Sequence, residues 1–125
     1  MNLKIFFILA LGGIMGTIFR YGFIFYSVKI WGTHFPWGTL GINVIGSFLM
    51  GCFVALFNKF IDLPLELKLF LTTGLLGSFT TFSGFSFDFM NLWQQGMIYQ
   101  SFFYILLSVF LSLGAVFLGY SIGRL

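Results

Sequence analysis

The stretch that decides the fold is Gly74-Leu75-Leu76-Gly77-Ser78-Phe79-Thr80-Thr81-Phe82-Ser83-Gly84-Phe85. By hydropathy it is the middle of a membrane span, yet glycines and hydroxyls crowd it. In hydrocarbon, backbone without helical hydrogen bonds survives only where protein or a water-filled cavity covers it. Broken spans of this kind hold ions or substrates in transporters. The sequence therefore predicts a helix unwound near residues 77–80. Phe82 and Phe85, three residues apart, should share one face of the part that resumes.

The rest of the chain fits a membrane setting. With 59% hydrophobic and 7% charged residues among 125, and a mean hydropathy of +1.05, it is too apolar for a soluble domain. Four stretches carry almost no charge: residues 5–28 (interrupted by Arg20), 37–57, 69–87 and 102–122. Each is near the roughly 20 residues that a helix rising about 1.5 Å per residue needs to cross about 30 Å of hydrocarbon. Pro36 and Pro64 stand where helices begin or stop. The expected architecture is an all-α membrane protein, one domain over residues 1–125, with four transmembrane helices and the third broken near its middle.

Several features are set aside on physical grounds. Met1-Asn2-Leu3-Lys4 and the apolar run behind it imitate a signal peptide. A cut near Ala10-Leu11-Gly12 would leave too short a leader, so the run is read as the first span. The net charge of +3 sits on dispersed loop cations, not on a basic cluster able to hold nucleic acid. Cys52 stands alone, which offers neither a disulfide nor a metal cluster, and His34 has no catalytic companion.

With four spans, Lys4, Lys59, Lys68 and Arg124 share one side, against Lys29 and Arg20 on the other. The positive-inside rule places the termini in the cytoplasm, but the bias is small enough to permit insertion in both senses. Small-residue ridges at Gly12-xxx-Gly16, Ser47-xxx-Gly51 and Ala115-xxx-Gly119-xxx-Gly123 allow close helix contacts, within a subunit or between subunits.

Two polar stripes accompany the break. Thr39, Asn43 and Ser47 recur every four residues in the second span, and Gln100, Tyr104, Ser108 and Ser112 do so in the last. One reading is interhelical hydrogen bonding, with serines bonding back to their own helix; the other is a permeation path. Such a path lacks a ring of carboxylates, so a cation pore is disfavoured. Asn43 offers N–H donors, the hydroxyls offer O–H donors, and Phe82 and Phe85 offer the positive edges of their rings. All of these suit an anion. Carbonyls freed at the break could be satisfied by a monovalent cation or by the hydroxyls of Ser78, Thr80 and Thr81. Arg20 lies about 6 Å past mid-span at the helical rise. It has three open readings: snorkelling, an electropositive vestibule, or an ion pair with Asp88.

The broken span, together with Gly38-Thr39-Leu40-Gly41-Ile42-Asn43 and Gly12-Gly13-Ile14-Met15-Gly16 leading to Arg20-Tyr21, resembles the CrcB/Fluc family of fluoride channels along nearly the whole chain. The resemblance implies a passive fluoride-selective channel rather than an enzyme, in the bacterial plasma or inner membrane, built as an antiparallel dual-topology dimer. The partner is an identical chain or a sister chain. Asn43, Phe82, Phe85, Tyr104, Ser108 and Ser112 match the pore, with Arg20 and Thr39 as vestibule candidates. A structural sodium ion at the dimer interface falls, by the same resemblance, to the backbone carbonyls of Gly77 and Thr80. Two rivals remain: a small dual-topology proton-coupled drug exporter, whose membrane-embedded glutamate in the first span is missing, and a structural membrane subunit.

Overall fold

The computed structural model describes residues 2–125. Among these residues every regular element is helical: α1 (Leu3–Trp31), α2 (Trp37–Lys59), α3 (Leu65–Leu69), a π-helical turn (Phe70–Leu76), α4 (Gly77–Phe79), α5 (Phe82–Gln94) and α6 (Ile98–Gly123). Three helices, α1, α2 and α6, are long and apolar enough to cross a membrane unbroken. The remaining helical stretch, third in chain order, is composite. Residues 65–79 form one continuous helical arm through the π turn, Thr80 and Thr81 are extended (ψ 158° and 121°), and α5 resumes at Phe82.

Local chemistry explains the element ends. Asn2 caps α1 by accepting from the Lys4 N–H at 2.9 Å, and Thr81 caps α5 by accepting from the Gly84 N–H at 2.9 Å, each satisfying an orphan donor. Between α5 and α6 the turn is only residues 95–97, with Gly96 at φ 78°. The sequence expectation ended the third span at residue 87 and left 88–101 as connector. The structure instead continues α5 to Gln94 and starts α6 at Ile98. A lone aspartate at position 88 lowers hydropathy without breaking helical hydrogen bonds, so hydropathy closed the span too early.

The small-residue ridges are contacts within the chain. A Cβ on Gly16 would overlap Ser78 Oγ and the Leu75 carbonyl, and one on Gly12 would meet the Leu75 nitrogen and the Phe70 carbonyl at 2.9 Å. A Cβ on Gly119 would overlap the Phe48 carbonyl, while Gly51 faces Val116 and Gly123 faces Cys52 and Ala55. Thus α1 lies against the arm ahead of the break, and α2 lies against α6. Backbone approach of this kind replaces the hydrophobic force that lipid does not supply. Outside these seams the surface is apolar, with Phe110 and Phe117 about two-thirds exposed, as lipid contact requires.

One end of the molecule gathers the cations foreseen on one side. Lys4 Nζ lies 4.0 Å from Glu66 Oε1, which joins the start of α1 to the connector before α3. Gly123 packs on Ala55, one turn before Lys59.

Candidate functional site

The break is gripped from two sides. Toward α1, Ser78 Oγ donates back to the Gly74 carbonyl at 2.7 Å and lies 3.4 Å from the Gly12 carbonyl. Toward α2, Thr80 covers Gly46, whose Cβ would overlap the threonine methyl. Asn43 Oδ1 accepts from the Thr81 N–H at 2.9 Å, and Asn43 Nδ2 donates to the Thr81 carbonyl at 3.2 Å. That double bond also fixes which end of the amide is oxygen, because a backbone N–H can only donate and a carbonyl only accept.

In front of this clamp lies a groove of about 530 Å³ bordered by Asn43, Ser47, Gly77, Thr80, Phe82, Phe85, Ser108 and Ser112, among others. Asn43 and Ser47 of one polar stripe and Ser108 and Ser112 of the other therefore meet at one place, beside the break. Ser108 Oγ is buried and has no hydrogen-bond partner among the described residues. A buried hydroxyl left unpaired costs about 1–3 kcal/mol, so the hydroxyl is free to turn toward Tyr104 behind it, its own helix, or an acceptor in the groove. The Phe82 and Phe85 rings lie 5.5 Å apart with their planes at 56°. Phe85 is also 5.1 Å from the Tyr104 ring.

A family model described as CrcB-like protein, Camphor Resistance (CrcB), matches residues 7–120. The chain belongs to the CrcB family. Among similar proteins is one named "Fluoride-specific ion channel FluC" from Agrobacterium fabrum, 46% identical over 117 residues that cover 94% of each chain. Proteins of the same name from Rhizobium etli, with 94% of each chain covered, and from Hahella chejuensis, with 93% of this chain and 91% of that one, are 43% identical. With its long apolar helices, this membership makes the chain a multi-pass bacterial membrane protein. CrcB relatives carry the name of a channel, not of an enzyme.

On the CrcB frame, the other sequence candidates fall into distinct places. Tyr104 is fully buried and reaches the groove through Phe85, while its hydroxyl lies 3.2 Å from Asp88 Oδ2 and donates to it. Gln100, which began the stripe in sequence, is exposed. Ser101 is fully buried instead and bonds back to the Ile98 carbonyl at 2.6 Å. Thr39 and Asp88 border both of two further cavities of about 340 and 330 Å³. Arg20 borders the second, with Thr81 and Asp88. Of its three readings, the ion pair is not formed: among the described residues the pair within 4.0 Å is Lys4 with Glu66.

Sequence reasoning missed Asp88 as a site residue. It treated the position as the end of a span, whereas the carboxylate sits inside α5 and orients Tyr104. A usable signal was present: Asp88 follows Phe85 by three residues and Gly84 by four, which puts it on the face already assigned to the rings.

The carbonyls assigned to a cation can be tested in the same geometry. In a continuous helix the Gly77 carbonyl would accept from the Thr81 N–H, and the Thr80 carbonyl from the Gly84 N–H. Here the first donor goes to Asn43 and the second to the Thr81 hydroxyl. Both carbonyls are thus released from helical bonding, and hard oxygen ligands of this kind fit a monovalent cation.

Proposed function

We propose that this chain is a fluoride-selective channel that lets the ion leave the cytoplasm passively and so lowers its toxicity. The single observation that carries the reading is the groove in which the unpartnered Ser108 hydroxyl, Ser112, the free proton of the Asn43 amide and the Phe82–Phe85 ring pair converge. Its donors are neutral, so an anion meets hydrogen-bond donors and ring edges without a strong fixed charge that would trap it. Several short contacts together replace hydration best for the smallest halide. The channel names carried by relatives 43–46% identical support the same choice.

The working unit in this reading is an antiparallel homodimer inserted in both senses, with two lanes each bordered by Asn43, Phe82, Phe85, Tyr104, Ser108 and Ser112, and with Arg20 and Thr39 at the mouth. Gly77 and Thr80 would hold a structural Na⁺. One chain offers two such carbonyls, so a two-fold axis would double them into a closed site. A cation bound there supplies a fixed positive charge that ties the carbonyls together. No nucleotide-binding glycine loop is present in the sequence. Transport then follows the electrochemical gradient, and a potential negative inside favours anion exit by about 2.3 kcal/mol per 100 mV.

Asp88, half-buried beside Tyr104, gives a proton-coupled exchanger one carboxylate to work with. Purified protein in liposomes separates the two. The channel reading expects electrogenic fluoride efflux, little chloride efflux, and no uptake driven by a pH gradient under a clamped voltage. Fluoride accumulation driven by that pH gradient would overturn it.

A further inference from the structure

We propose that Asn43 is a positioning residue for the break as well as a lining residue of the groove: its amide holds the Gly77 carbonyl out of the helix. This rests on the reading of Gly77 and Thr80 as cation ligands. Three observations carry it. The Asn43 amide pairs with both backbone groups of Thr81, at 2.9 and 3.2 Å, across a separation of 38 residues. Thr80 cannot supply a substitute, because its own N–H and hydroxyl both already donate to the Leu76 carbonyl, at 3.0 and 2.9 Å. Thr81 is the residue whose N–H would close the next helical turn onto Gly77, and α4 ends only two residues earlier at Phe79.

Remove the amide, and the Thr81 N–H is left part-buried without an acceptor. The nearest repair is the helical one: Thr81 turns back onto Gly77, α4 runs on toward α5, and one freed carbonyl disappears. A single side chain therefore couples the anion lane to the carbonyl cage. It also explains how Asn43 can serve both, since an amide nitrogen carries two protons and Thr81 uses one.

The coupling separates from a simple lining role through two variants. Asn43→Asp keeps an oxygen that accepts from the Thr81 N–H, so Gly77 stays released even though the bond to the Thr81 carbonyl is lost, while the added negative charge and the lost donors should stop an anion. Asn43→Leu keeps bulk and loses both bonds. The readout is thermal unfolding of purified full-length protein prepared without Na⁺ and titrated with NaCl against N-methylglucamine chloride, alongside fluoride efflux. We expect a Na⁺-dependent upward shift in wild type and in Asn43→Asp. In Asn43→Leu, and in the smaller Asn43→Ser, the apparent Na⁺ affinity should be weaker by about tenfold or more, which is the scale of one lost positioning contact. Fluoride efflux should fail in Asn43→Asp and Asn43→Leu.

A wild-type Na⁺ response retained in Asn43→Leu, or lost in Asn43→Asp, overturns the coupling while leaving the cation reading intact. No Na⁺ response in wild type removes the cation reading and the coupling with it. If none of the variants folds, Asn43 is a folding residue and the proposal also falls.

Discussion

On its α1 side the broken span is seated on glycines, with Gly12 and Gly16 admitting its backbone so closely that a methyl group would overlap. On its α2 side it is held by the Asn43 amide and covered at Gly46 by Thr80. The two contacts bracket the same few residues, yet one is steric and the other chemical. The steric seat tolerates almost no added volume and is indifferent to charge. The chemical grip tolerates volume better and depends on which atoms donate. A membrane protein that must keep two extended residues in hydrocarbon needs both, because packing alone leaves the Thr81 backbone groups unpaired.

The largest expected effect comes from spoiling the seat. Gly16→Val puts side-chain volume onto the Leu75 carbonyl and Ser78, and backbone cannot step aside as a side chain can. The cost should reach or exceed the upper end of the ~1–3 kcal/mol seen for overpacking. We expect a collapse in yield of monodisperse protein and a much lower unfolding temperature. Gly13→Val is the matched control, since a Cβ there meets nothing within 4 Å. Equal behaviour of the two variants would dissolve the contrast between the two sides.

A smaller effect, confined to transport, should follow at the rings. Phe82→Ile and Phe85→Leu keep bulk and remove the positive ring edges. Fluoride efflux should drop about tenfold or more, equivalent to ~1.4 kcal/mol in the barrier, while assembly in size-exclusion chromatography is unchanged. Wild-type efflux in both would take the rings out of the lane and leave the hydroxyls and the Asn43 amide as its polar contribution.

Smaller again is the effect at the Asp88–Tyr104 pair. Asp88→Ala strands the hydroxyl of fully buried Tyr104, whereas Tyr104→Phe leaves Asp88 facing two cavities that water can enter. The first should lower stability by about 1 kcal/mol and the second by less, with Asp88→Asn recovering most of the loss. Thermal unfolding of the three variants orders them, and a larger loss in Tyr104→Phe would reverse the assignment of which group is the more dependent.

The contrast also explains what could be read from the sequence. Four spans and their order were legible because charge and proline punctuate a chain that is otherwise apolar, and the break announced itself through Gly77, Thr80 and Thr81. Its position was read slightly early: residues 77–79 remain helical and only Thr80 and Thr81 are extended. The π turn over Phe70–Leu76, which packs against α1 at Gly12, had no signal in the sequence that set it apart from an α-helical run. The stripe of α2 was legible as a period of four. Its partner was not, because the Asn43–Thr81 pairing is a tertiary contact to backbone atoms that no residue type at position 81 advertises. Along the stripe of α6, Ser108 and Ser112 border the groove and Tyr104 is buried behind Phe85, whereas Gln100, where the helix has only just begun, is exposed.

The last prediction leaves stability and flux alone and asks on which side of the membrane each grip lies. In an antiparallel homodimer, each loop is displayed once on each side, so the α1 seat of one subunit and that of its partner face opposite compartments. Gln95 suits the test because it is exposed and lies at the short turn between α5 and α6. With Cys52 replaced by alanine, Gln95→Cys should react partly with an impermeant maleimide added outside intact vesicles and fully only after permeabilisation. Two lysines added beside Gln95 oppose the modest excess carried by Lys4, Lys59, Lys68 and Arg124, so they should change the labelled fraction without touching the groove. Active protein labelled entirely from one side would exclude a dual-topology homodimer. It would leave a parallel assembly, or a sister chain of opposite orientation, as the working unit.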